Sequence, residues 1–141
     1  MHTARNFLAL AVLALPACAN PFGSGWERGV GSISTTGSPS GSLVVPDTVQ
    51  AGVAFTARVT TFGSSSCTRA DGAEVRVARS VAEITPYDLE ATGNATCTAD
   101  LAPFPRDVQV RFDAVGTATV RVRGRPEQGA ERVVERTVVV R

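Results

Sequence analysis

The chain is expected to be all-β, a sandwich of about seven short strands. Three observations predict it. Apolar and polar residues alternate with a period of two over several segments, the pattern of a strand with one buried face. The apolar mass is mostly Val and Ala, aromatic residues make up only 6%, and β-branched Val favours extended backbone. Gly, Pro and Asp recur between the alternating segments at the spacing of sandwich turns. No stretch beyond residue 17 keeps a helical period.

Taken in order, Leu43-Val44-Val45 ends at the turn pair Pro46-Asp47. Beyond Gly52, over Val53–Phe62, Val53, Phe55, Ala57 and Val59 face one way and Thr56, Arg58 and Thr60 the other. Ala73, Val75 and Val77 then alternate with Glu74, Arg76 and Ala78. Val81–Tyr87 is a shorter apolar run broken by Pro86, which cannot donate to a ladder, so an edge position is expected. Val108, Val110 and Phe112 alternate with Gln109, Arg111 and Asp113. Ala118, Val120 and Val122 alternate with Thr119, Arg121 and Arg123. Val133–Val140 closes the chain, and Glu135 and Arg136 blur its phase at a candidate bulge.

The N-terminus reads differently. Met1–Asn6 is polar and contains Arg5, and Phe7–Ala17 is apolar without charge. That run is shorter than the roughly 20 residues a bilayer span needs. A charged start, a short apolar run and a small residue make a secretory signal peptide. Leu15-Pro16-Ala17-Cys18 resembles the lipobox of bacterial lipoproteins, with Pro16 where a small residue is usual. The resemblance implies cleavage before Cys18, a diacylglyceryl group on its thiol, and a lipid anchor. Ala19 after the cysteine implies the outer membrane in a cell that has two, on its periplasmic or surface face. The competing reading is an ordinary signal peptide cut at a nearby small residue.

Residues 1–17 are thus the expected signal peptide, 18–42 a linker rich in Gly and Ser, and 43–141 the β domain. Trp26 falls in the linker. It either contacts lipid headgroups or a partner, or folds back on the domain.

Two segments of the domain resemble bacterial immunoglobulin-like domains. Pro46–Phe55 (PDTVQAGVAF) is similar to their opening, where a Gly precedes an alternating strand. Phe112–Val122 (FDAVGTATVRV) is similar to their strand–Gly–strand hairpin near the C-terminus. The resemblance implies an immunoglobulin-like β-sandwich and no particular activity, since such a fold hosts spacers, adhesins and recognition modules alike.

With Cys18 lipidated, Cys67 and Cys97 remain. Export exposes them to an oxidising compartment, so a disulfide joining the Ser64–Gly72 and Gly93–Asp100 loops is expected.

Charge and residue inventory remove much chemistry. Every one of the 14 basic residues is Arg, as high-GC codon bias produces, against 13 acidic residues. Loss of Arg5 with the signal peptide leaves the rest neutral, without the electrostatic footprint of a nucleic-acid binder. His2 is the only histidine, and it too is removed. Histidine-dependent triads and dyads therefore have no base, Ser-Lys dyads have no lysine, and zinc lacks ligands beyond one cysteine pair. Asp71, Glu83, Asp88, Glu90, Asp100 and Asp107 are formal candidates for a carboxylate pair, and four of them (Asp71, Asp88, Glu90 and Asp100) for calcium. None has the spacing of a calcium loop, and solvated turn or strand acids explain them. No catalytic residue, metal or cofactor is expected.

The expected role is a tethered, non-enzymatic envelope module for binding, adhesion or structure, with an envelope protein or a glycan as partner. An accessory carbohydrate-binding module or a protease inhibitor is the alternative. The loop end around Ser64–Gly72 and Glu90–Pro105 is the expected contact surface, because binding residues favour loops on a rigid scaffold. Arg69, Tyr87, Leu101 and Phe104 are its candidate anchors, set against ordinary loop packing for each.

Overall fold

The computed structural model describes residues 25–34, 41–127 and 130–141, without the side chains of 126 and 127. The expected signal segment and residues 18–24 and 35–40 of the expected linker, Cys18 among them, lie outside the described residues. Among the described residues nine strands follow in order: β1 Trp26–Val30, β2 Leu43–Val44, β3 Thr48–Val49, β4 Phe55–Gly63, β5 Thr68–Ala78, β6 Val81–Ala91, β7 Ala102–Val110, β8 Gly116–Glu127 and β9 Ala130–Val140. The described residues contain no helix. The strands form two sheets, one of six strands and one of three in the order β2-β4-β7.

β6 organises the wide sheet. One of its edges pairs antiparallel with β5 along nearly its whole length. The other edge is shared. β8 runs parallel to Val81–Ile84, and β1 runs antiparallel to Tyr87–Ala91. β9 continues the sheet beside β8, and β3 lies parallel to β9. Val81–Tyr87 is therefore central, contrary to the edge position that Pro86 predicts. Pro86 sits between the last residue paired to β8 and the first paired to β1, and its carbonyl accepts the Gly31 N–H at 2.9 Å. A strand residue presents its N–H and C=O to one side. The donor that proline lacks falls in the gap between two neighbours, where no ladder bond needs it.

The inward faces of the two sheets make the core. Leu43, Ala57, Val59, Ala82, Ile84, Val110, Phe112, Val120, Val122, Val138 and Val140 are all buried in it. The rings of Phe55 and Phe112 stack with centroids 6.0 Å apart. Val77, expected inward, is 45% exposed, because three strands cannot cover the outer strand of six.

The architecture differs from the sequence reading at four further places. Trp26–Val30, inside the expected linker, is a strand, and Ser42 at the linker's end is 1% exposed. Thr68–Gly72 belongs to β5, so the expected loop shrinks to the turn before it. Phe112–Gly116 is no hairpin: β7 lies in the narrow sheet and β8 in the wide one, so this segment crosses between them. β9 keeps its register through Glu135 and Arg136, and the irregularity falls between Gly124 and Glu127 of β8.

Candidate functional site

One end of the sandwich gathers the chemistry. The chain turns at Ser64–Cys67 before β5, and Cys67 is bonded to Cys97 with a Cα–Cα distance of 5.5 Å. Small polar side chains knit the two segments beside it. The Thr98 N–H donates to Ser66 Oγ at 2.9 Å, and the Ser65 N–H to Asp100 Oδ1 at 3.1 Å. Thr98 Oγ1 donates to Asp100 Oδ1 at 2.5 Å. Donation by the Thr98 hydroxyl, then by Ser65, lowers the Asp100 carboxyl to about 2.

Beside this end, the outward face of β1, β6 and β5 carries an alternation of rings and guanidiniums. Trp26, Arg28 and Val30 of β1 pair with Ala91, Leu89 and Tyr87 of β6, and Arg69 of β5 pairs with Leu89 from the other side. Side chains two apart share a face. Arg28 lies over the Tyr87 ring at 3.6 Å and Arg69 over the Trp26 ring at 4.0 Å. Arg28 Nε also donates to Asp71 at 2.5 Å. Arg69 has no carboxylate within 4.0 Å among the described residues, so its donors stay available above the ring. The single Trp and the single Tyr of the chain thus share one surface.

Behind that face lies a buried polar cluster linking the sheets. Asp88 of β6 is 1% exposed and the Arg106 side chain of β7 only 8%. Arg106 Nη2 donates to Asp88 Oδ1 at 2.5 Å and to Thr61 Oγ1 of β4, and Thr61 Oγ1 donates to Asp88 Oδ1 at 2.9 Å. Nη1 donates to the carbonyls of Gly72, at 2.9 Å, and Tyr87. Among the described residues, Arg106 Nε is the one fully buried side-chain nitrogen or oxygen without a hydrogen-bond partner. Gly31 passes so close that a Cβ there would stand 2.5 Å from Asp88 Oδ2 and from Thr61 Cγ2.

Of the four expected anchors, Arg69 and Tyr87 share the ring-bearing face. Leu101, 74% exposed, precedes β7 on the narrow sheet. Phe104 is half-buried and has the inward parity of Arg106. Asp88, read from sequence as a solvated acid, is a core residue. The other candidate acids have partners: Asp71 with Arg28, Glu83 with Arg123, Glu90 with Arg125, Asp107 with Arg58. Among the described residues no group of three or more His, Cys, Asp or Glu side chains is placed to hold a metal ion.

Sequence reasoning missed Trp26, Arg28 and Asp71 as members of one face, because their meeting depends on cross-strand register. It also missed the Asp88–Arg106 pair, although parity held a signal. Asp88 extends the inward series Ala82, Ile84, Pro86, and Arg106 precedes the inward Val108 and Val110.

The arrangement defines a small β-sandwich with a disulfide-tied end and an aromatic–arginine face. Comparisons with protein families, curated proteins and solved structures give no match.

Proposed function

We propose that the chain is an envelope lipoprotein, anchored through an acylated Cys18, whose sandwich serves a non-enzymatic binding, adhesion or structural role. The observation that carries it is the arithmetic of the cysteines. Cys67 and Cys97 are bonded to each other, which leaves Cys18 as the odd one of three. An odd cysteine in an exported chain asks for an explanation, and its place at the end of Leu15-Pro16-Ala17-Cys18 supplies one.

The immunoglobulin-like reading of the sandwich belongs to the same proposal. In that fold, strands A, B and E share one sheet and C, F and G the other. The division of β2-β4-β7 into one sheet and β6-β8-β9 into the other supports that reading. The parallel β6–β8 pair and the outer β5 depart from the pattern, whose sheets are antiparallel.

One observation favours the alternative of a carbohydrate-binding module: Trp26 and Tyr87 share a face. Yet Arg28 and Arg69 lie over those rings, on surfaces where a sugar would stack.

Intact mass of the protein extracted from membranes, with and without reduction, tests the tether. A mass beginning at Cys18 plus acyl chains, rising by about two daltons on reduction, is the expected result. An unacylated protein in the soluble fraction overturns the reading.

A further inference from the structure

We propose that the outward face of β1, β6 and β5 rests on the bilayer, with the Trp26 and Tyr87 rings and the Arg69 guanidinium at the level of the lipid headgroups. The proposal rests on the lipid anchor at Cys18 and goes beyond it: the anchor holds the protein to the membrane, and this face sets its orientation.

Reach is the first argument. Trp26 stands eight positions after Cys18, and eight extended residues span at most roughly 29 Å. β1 is the first strand described after the anchor, and it is locked to β6 by five register pairs. The corner of the wide sheet holding Trp26, Ala91 and Arg69 is therefore tied within roughly 29 Å of the anchored cysteine, close enough to reach the headgroups.

Chemistry is the second argument. Trp and Tyr concentrate at membrane–water boundaries because one part of each ring system is apolar and another polar. Arg covers apolar surface with its stem while keeping the charge in water or against phosphate. Trp26 is 38% exposed, and Arg69 stacks on it with its donors uncommitted to carboxylate. Arg28 is neutralised by Asp71, and the chain beyond residue 17 carries no net charge. Farther along the same face Arg76 pairs with Glu74 and Glu83 with Arg123, so Arg69 is the cation there that faces no carboxylate among the described residues, and zwitterionic phospholipid suffices as the surface.

Trp26 is the only tryptophan, so its emission reports on this face alone. The lipidated protein is reconstituted in phosphatidylcholine vesicles, with or without bromines on the upper acyl carbons. A face lying about 5–10 Å into the headgroup–acyl boundary brings the indole to the bromines and lowers emission by about twofold. Arg69→Glu, folded by circular dichroism, should lose most of that quenching. Emission that ignores the bromines overturns the resting face even where the mass carries acyl chains. A mass without acyl chains removes the anchor, and this proposal falls with it.

Discussion

Arg106 Nη2 lies 2.5 Å from Asp88 Oδ1, joining the narrow sheet to the wide one through two side chains that water barely reaches. Removing one member of a buried pair strands the other charge. Asp88→Ala is expected to cost about 3–5 kcal/mol, read as a lower urea midpoint. Asp88→Leu combined with Arg106→Leu should recover most of it, because the desolvation cost goes with both charges. A double variant as unstable as the single one would sink this account.

Gly31 is held by the same cluster. A methyl there meets Asp88 Oδ2 and Thr61 Cγ2 at 2.5 Å, and neither can retreat without opening the pair. Gly31→Ala should destabilise by about 1–3 kcal/mol, whereas Gly29→Ala, with open space around its Cβ, should stay close to wild type in the same titration.

The Cys67–Cys97 bond closes a loop with a sequence separation of 30. By chain entropy its loss should cost about 3–4 kcal/mol. Thermal unfolding of Cys67→Ala with Cys97→Ala should match that of reduced wild type. A reductant that further destabilises the double variant would place the effect elsewhere.

Asp100 gives the same end of the molecule a pH dependence. Its folded value, about 2, lies below the ordinary 3.8 because hydroxyl and amide donors favour the carboxylate. A depressed acid stabilises the fold above its unfolded value, and that stabilisation fades as pH falls toward 2. Wild type should therefore exceed Asp100→Asn in stability at pH 5, with the difference shrinking by pH 2. A gap that stays constant across this range would show that ionisation is not its source.

The strands of the core were legible because one buried face imposes a period of two, as Val120 and Val122 show against Arg121 and Arg123. The disulfide was legible from cysteine number and expected export. Pro86 misled because a rule for edges also fits a gap between two neighbours. β1 was hidden: WERGV has no alternation of its own, and only pairing with β6 makes it a strand. The Arg28–Tyr87 and Arg69–Trp26 stacks were hidden for a related reason, since register between distant strands is a property of the packed sheets.

The parallel β6–β8 pair also governs how the chain reaches its native state. Val81 pairs with Thr119 across a connection that lays β7 into the opposite sheet and crosses back. β5 and β6 form an ordinary hairpin, but the middle of the wide sheet stays open until the last two strands arrive. Such non-local closure belongs to the slow class of folding, in milliseconds to seconds. During synthesis from the N-terminus, the β5–β6 hairpin and the narrow sheet have all their strands first, and the wide sheet stays incomplete until β8 and β9 are made.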